Sequence, residues 1–347
     1  MKQVSNGISK PMASFAVAAI LMAGAATRTL RAAEWQAIAG AESANRGSQA
    51  LAFLPNEFWI HAGDSIRWTF STHERHSLTF LTPGQTRPPG FGPTFGVPVG
   101  CPGITPDGSS FDGSSCVTTG ILMLDENAGP AAKPLTYSVS FPAIGNFKFV
   151  CLVHADMTGL VHVINAFLTL PHDQAFYDNQ GQSQRARLFR DASRLEGGNE
   201  DPAQSNDVAV GIGVIVTPTG VGSQTASLMR FVKDTIIVQV GDTVEWTNLD
   251  PSINHTVTFG TEPADPRPPS TNLLPPAADG ARRAMISSPA DSVNSGFLSP
   301  TPQDRANLAQ ASPGVTRFRV TFTSPGIFNY ICAVHDQLGM KGTVVVH

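Results

Sequence analysis

Apolar and polar residues alternate with period two in short runs, and the runs fall into two matching series. Ser65-Ile66-Arg67-Trp68-Thr69-Phe70 follows the turn Ala62-Gly63-Asp64 and predicts a strand with Ile66 and Trp68 turned inward. Gly241-Asp242-Thr243-Val244-Glu245-Trp246-Thr247 repeats that arrangement. Tyr137-Ser138-Val139-Ser140-Phe141 is matched by Phe318-Arg319-Val320-Thr321-Phe322. Gly145-Asn146-Phe147-Lys148-Phe149-Val150-Cys151 is matched by Gly326-Ile327-Phe328-Asn329-Tyr330-Ile331-Cys332. His76 precedes Cys151 by 75 residues, and His255 precedes Cys332 by 77. Chance does not produce two such series, so the chain carries an internal repeat.

The repeat sets the organisation. The pattern predicts an all-β protein, with one domain over 45–166, a linker over 167–206 and a second domain over 207–347. Residues 34–50 are small and polar and read as a loose lead-in. Thr82 to Lys133 and Glu262 to Pro313 are rich in Pro and Gly and too long for hairpin loops. They are expected as insertions, lying over the outside of each domain or beside one of its ends. Within the linker, Asp173 to Leu195 has loosely helical spacing. Asp173 can cap a helix and Gly197-Gly198 can end it, while Gly181 weakens its centre. Its apolar face is expected to pack on one of the two domains.

Composition agrees with a turn-rich β protein. The 347 residues include 32 Gly and 27 Pro, and only 14% are charged. Residues 1–33 read as a secretory signal and cleavage region. Lys2 and Lys10 precede the apolar run Phe15 to Ala26, which is short for a membrane span, and Ala23-Gly24-Ala25 or Arg31-Ala32-Ala33 offers a cleavage site. An uncleaved anchor is the alternative. The expectation is an exported, periplasmic or extracellular protein whose mature chain has no transmembrane segment. Losing Lys2 and Lys10 takes the formal charge from -4 to -6. A mildly acidic surface argues against nucleic acid and suits a basic redox partner protein.

Cys101 and Cys116 flank a loop rich in Gly, Ser and Pro. In an exported protein they are expected to form a disulfide, stabilising the fold by roughly 3 kcal/mol in the chain-entropy model. Metal binding is the alternative, although no His lies close by. The other two cysteines sit in a different setting. Cys332, His335 and Met340 lie within nine residues, and His255 is the natural fourth partner. Cys151, His154, Met157 and His76 repeat the set. A thiolate, two imidazoles and a distant thioether are the ligands of a type 1 (blue) copper site. Such a set lies between the preferences of Cu(I) and Cu(II), so the ion can change oxidation state with little movement.

With these motifs in place, each half resembles the plastocyanin-like cupredoxins, and the whole resembles two-domain bacterial members of that group. The shared features are Gly-Asp-x-Val/Ile-x-Trp-Thr, His-Thr/Ser-Val/Leu-Thr-Phe, and Cys-x₂-His-x₂₋₄-Met-x-Gly before the last strand. The resemblance implies Greek-key β-sandwich domains of eight strands, each with one copper ion at a pole and so two per chain. It also implies that His154 and His335 lie near the surface and pass the electron to a redox partner. Leu152, Val153 and Ala155, or Ala333, Val334 and Leu338, would form an apolar docking rim. The first ligand loop is two residues shorter than the second.

Two other readings belong to different classes. A two-domain copper nitrite reductase or small multicopper oxidase would need further imidazoles for a substrate-binding copper. No His adjoins Cys151 or Cys332, and no His-x-His occurs in the chain. A copper storage or delivery protein would exchange its metal readily, which a preorganised thiolate site does not favour. The expectation is an electron carrier and not an enzyme. His61, His73, His162, His172 and His347 stand outside the pattern.

Overall fold

In the computed structural model the described residues are 1, 31–85, 87, 97–125, 132–198, 206–217, 222–300 and 314–347. Most of the signal and cleavage region, residues 2–30, lies outside them. The predicted strands form, and the two halves share one plan. In the first module the strands are β1 (Glu34–Glu42), β2 (Ser48–Leu54), β3 (Glu57–His61), β4 (Ser65–Phe70), β5 (Thr79–Phe80), β6 (Ser109–Ser110), β7 (Val117–Thr118), β8 (Leu135–Ser140), β9 (Gly145–Val150) and β10 (Thr158–Ile164). Helix α1 (Gln174–Gly198) follows. In the second they are β11 (Asp207–Val216), β12 (Gln224–Val232), β13 (Thr235–Val238), β14 (Thr243–Leu249), β15 (Thr258–Phe259), β16 (Arg282–Ile286), β17 (Val293–Asn294), β18 (Arg317–Phe322), β19 (Gly326–Ile331) and β20 (Lys341–Val346).

Each module is a sandwich of two sheets. One sheet runs β3-β10-β9-β5-β7 and its counterpart β13-β20-β19-β15-β17. The other two halves join into one sheet, β16-β18-β14-β11-β12-β2-β1-β4-β8-β6. The join is the antiparallel pairing of β12 with β2, where Ala226 faces Ala50 and Ser227 faces Gln49. Each module gains two short strands over the eight the resemblance implies. These are β6 and β7, and β16 and β17, and they come from the insertions. Cys101 and Cys116 are joined as a disulfide within the first insertion.

Alternation translates directly into burial. In β4, Ile66 and Trp68 are fully buried, and Val244 and Trp246 repeat this in β14. Trp68 packs edge-on against Phe80 and Phe149, as Trp246 does against Phe259 and Tyr330.

Two expectations change. Residues 34–50 are not a loose lead-in. β1 pairs in parallel with β4 and antiparallel with β2, so the first module starts ahead of residue 45. Apart from Trp35, the buried apolar positions of this segment are the alanines Ala37, Ala39, Ala41 and Ala50, and Ala52 follows in β2. Such a strand carries little hydrophobic contrast. The reason for small residues is α1, which packs Leu188 and Ala192 onto Ala41, Ala50, Ala52, Leu54 and Ala226. The helix therefore covers the seam between both modules and does not rest on one alone. Asp173 caps it, its Oδ1 accepting the Phe176 N–H at 2.9 Å. Gly181 lets the helix approach β2 closely, since a Cβ there would lie 3.1 Å from the Leu54 carbonyl carbon.

Candidate metal centres

Each module brings a Cys and a His from one loop and a second His from a distant stretch to one pole. The end of β9 delivers Cys151 and the following turn delivers His154; β19 and its turn do the same for Cys332 and His335. The remaining imidazole sits just before β5 or β15. There the insertion fixes it: His76 exchanges two backbone hydrogen bonds with Leu122, and His255 does so with Leu298. In each set the Cys sulfur and one nitrogen of each His lie within 4.8 Å of one another, and all six residues are buried.

The second set is a near-regular triangle. His255 Nδ1 and His335 Nδ1 are 3.1 Å apart, and Cys332 Sγ lies 3.8 Å from the first and 3.4 Å from the second. A point central to those three atoms is about 2 Å from each, close to the length of a metal–imidazole bond. In the first set Cys151 Sγ is 3.7 Å from His154 Nδ1. The imidazole pairs match closely, with centroids 4.9 Å apart in both sets and interplanar angles of 64° and 67°.

The two ligand loops differ in length yet close alike. The Cys151 N–H donates to Met157 O at 2.9 Å, and the Cys332 N–H to Met340 O at 3.0 Å. The Met157 N–H donates to His154 O, and the Met340 N–H to His335 O, both at 3.2 Å. The two extra residues of the second loop are absorbed in the 3₁₀ turn Asp336–Leu338. Met157 and Met340 are fully buried at equivalent places.

Electrostatics prepare the donors. Burial alone would push the Cys151 thiol up, but His154 and His76 outweigh it and hold it well below its usual range. Burial likewise opposes Cys332, and His335 and His255 bring it down. Burial disfavours a charged His154, yet the Cys151 thiolate and Glu74 raise it to about 10. His255 is raised to about 9 by Asp250 and Cys332, again against burial. Backbone N–H groups support both sulfurs: Ser77 N–H at 3.4 Å from Cys151 Sγ and Thr256 N–H at 3.3 Å from Cys332 Sγ. The Ser77 and Thr256 hydroxyls in turn accept the N–H of Leu152 and Ala333.

The donors suit a thiophilic ion. Among the described residues, neither ring nitrogen of the buried His76 has a hydrogen-bond partner. Imidazole nitrogen left bare in a core is costly unless it binds something.

The surface position implied for His154 and His335 is not found. Their exposures are 0% and 1%. The two poles face each other across the seam, so the apolar rim expected to dock a partner is covered by the other module. Leu338 packs with Leu51, Met229 and Ile253. Leu152 is buried, and Val153, Ala155, Ala333 and Val334 are partly buried. A gap of about 10 Å³, room for one water at most, remains between Glu74, Arg75, Val153 and His154 on one side and Ile253, Asn254, Val334 and His335 on the other. Arginines lace the loops together: Arg230 donates to Leu338 O and Asn45 O at 2.7 Å, and Arg75 to Val334 O at 3.4 Å.

Sequence reasoning missed three kinds of residue here. Glu74 is buried, with Oε1 3.2 Å from His154 Nε2 and Oε2 3.5 Å from His335 Nε2. Gly40 and Gly211 lie against the rings of His76 and His255. Ser77 and Thr256 support the thiolates. The glycines had a signal, because an isolated Gly inside a strand marks a bulge or a close approach. Of the histidines outside the pattern, His73 pairs with Glu42 at 2.7 Å and the partly buried His162 stacks on Trp59.

A β-sandwich with two imidazoles and a thiolate at one pole defines a plastocyanin-like cupredoxin. Residues 218–347 match the model of the copper binding proteins of the plastocyanin/azurin family. The second module is thus similar to that family, and the first repeats its strands and its pole. Among solved structures, the oxidised plastocyanin of Dryopteris crassirhizoma is similar at 24% identity, covering 41% of this chain and 99% of that one, with a TM-score of 0.22. A copper(I) amicyanin variant is similar at 19% identity, covering 34% and 74%, with a TM-score of 0.20. The curated proteins give no match.

Proposed function

We propose that the chain is an exported electron-transfer protein with two mononuclear type 1 copper sites. His76, Cys151, His154 and Met157 hold one ion, and His255, Cys332, His335 and Met340 hold the other. The observation that carries this reading is the pair of buried donor triangles, each with one thiolate and two imidazoles. When bound, copper supplies a one-electron couple between Cu(I) and Cu(II).

The chain does the rest. It holds each sulfur as a thiolate, fixes each imidazole by strand pairing and packing, and keeps water from the poles. Burial of His154 and His335 leaves little room for a substrate beside either ion, which favours electron transfer over an oxidoreductase that binds oxygen or nitrite. Redox partner proteins, with a basic contact surface, would exchange electrons with it outside the cell membrane.

The test is a visible spectrum with metal analysis on the exported protein. Two copper ions per chain and an intense blue band are expected. Cys151→Ser and Cys332→Ser should each remove about half of the blue absorption and one ion. A colourless protein that refuses cupric salt would refute the reading. Loss of all colour on one substitution would restrict copper to one module.

A further inference from the structure

We infer that the two sites form one internal redox pair joined by Glu74, and that an electron taken up at one site passes to the other through His154, Glu74 and His335. This rests on the copper reading above. Each imidazole turns Nδ1 toward its own Cys sulfur, at 3.7 Å for His154 and 3.4 Å for His335. Each turns Nε2 toward Glu74, at 3.2 Å and 3.5 Å, and the two use different carboxylate oxygens. The result is a series of close contacts from thiolate to imidazole to carboxylate to imidazole to thiolate, in which His154–Glu74 is a hydrogen bond and His335–Glu74 a contact at ion-pair distance. It links residues 151 and 332, which the chain separates by most of its length.

The bridge is a single group and no remnant of the repeat. The Glu74-Arg75-His76 stretch corresponds to Ile253-Asn254-His255, so the second module has an apolar residue in its place. The backbone of Glu74 is fixed by the Thr72 hydroxyl, which donates to Glu74 O at 3.0 Å. Both imidazoles are closed to solvent. The edge through which a lone module would reach an outside protein therefore opens on the other module. The step moves one electron: one site is oxidised as the other is reduced, no bond breaks, and the net charge of the pair is unchanged.

A shared carboxylate has a consequence for both sites. Its negative charge beside each imidazole N–H favours the more positive, oxidised state. Glu74→Gln should raise both reduction potentials, although Glu74 belongs to the first module. The decisive measurement uses single-site proteins. In a Cys151→Ser background only the second site is blue, and adding E74Q should shift its Cu(I)/Cu(II) ratio roughly tenfold toward Cu(I), ~59 mV for one electron. The same change in a Cys332→Ser background should raise the first site. An unmoved second site would overturn the proposal, since a role confined to the first module's loop moves only the first site. Absence of blue colour in Cys151→Ser would instead restrict copper to the first module and so fail the two-site reading on which the pair rests.

If E74Q does not take up copper, Glu74→Asp keeps the charge but spans to one imidazole only. It should move one potential and leave the other, and two unchanged potentials would overturn the bridge. In the two-copper protein, flash reduction with less than one electron per chain should show a redistribution whose rate is independent of protein concentration. That phase should be absent from both single-site proteins. A rate proportional to concentration would mean transfer between molecules, and would overturn the internal relay.

Discussion

Gly40 lies directly beneath the ring of His76: a Cβ at Gly40 would stand 2.1 Å from His76 Nε2. Gly211 bears the same relation to His255, at 2.3 Å. Both glycines have positive φ, +75° and +68°, and both sit where the strand pairing shifts register. The bulge opens a cradle that only a residue without a side chain leaves free.

Gly40→Ala and Gly211→Ala should therefore each displace one imidazole. Left-handed strain and the clash together should destabilise the protein by about 2–3 kcal/mol. Thermal unfolding of the metal-free protein measures that cost, and the visible spectrum shows which site suffers. Gly40→Ala should weaken the first site's blue band and Gly211→Ala the second's. An unchanged spectrum in both would mean that the cradles do not hold the ligands.

Copper uptake should release protons at pH 7. His154 is raised to about 10 and His255 to about 9, so both carry a proton in the metal-free protein, whereas a ligand imidazole must be neutral. The two thiols are held low and have already lost theirs. The expected stoichiometry is about one proton per ion, and apparent affinity should rise with pH through the neutral range. Titration with cupric salt in weak buffer containing an indicator dye reads the release directly. Zero release would contradict the charged pairs.

The metal-free protein should lose stability in acid through Glu74. Burial would raise this carboxyl, but His335 and His154 bring it from 4.5 down to about 2. A lowered folded value means that its contribution is fully present above pH 4.5 and disappears as pH falls toward 2. Urea titrations of wild-type and Glu74→Gln proteins across that range should show a gap that narrows with acid. A gap constant with pH would mean that the carboxylate charge contributes nothing.

Helix α1 should hold the two modules in one cooperative unit. Leu188→Ala empties a fully buried site over the seam and should cost about 2–5 kcal/mol. Calorimetry is expected to show one transition in the wild-type protein and a lower or split transition in the variant. A small, unsplit shift would indicate that the β2–β12 pairing alone unites the modules.

The sequence by itself determined the repeat, the alternating strands and the six Cys and His residues that converge at the two poles. Strand alternation is local, and a Cys, His and Met within a few residues can be recognised wherever the loop comes to rest. Matching series also identified His76 and His255, because each precedes its Cys by nearly the same distance. The strands of residues 34–50 escaped notice, since alanines chosen for close helix packing leave almost no hydrophobic contrast.

Only the tertiary structure decided how the two poles meet. The pairing of β2 with β12 and the cover of α1 turn them toward each other, and edge strands carry no residue pattern that names their neighbour. Glu74 reads as an ordinary surface carboxylate until His335, hundreds of residues away, is placed beside it. The burial of His154 and His335 follows from the same contact. Chemistry held in one loop is written in consecutive residues, whereas chemistry between loops depends on how two nearly identical bodies are set against each other.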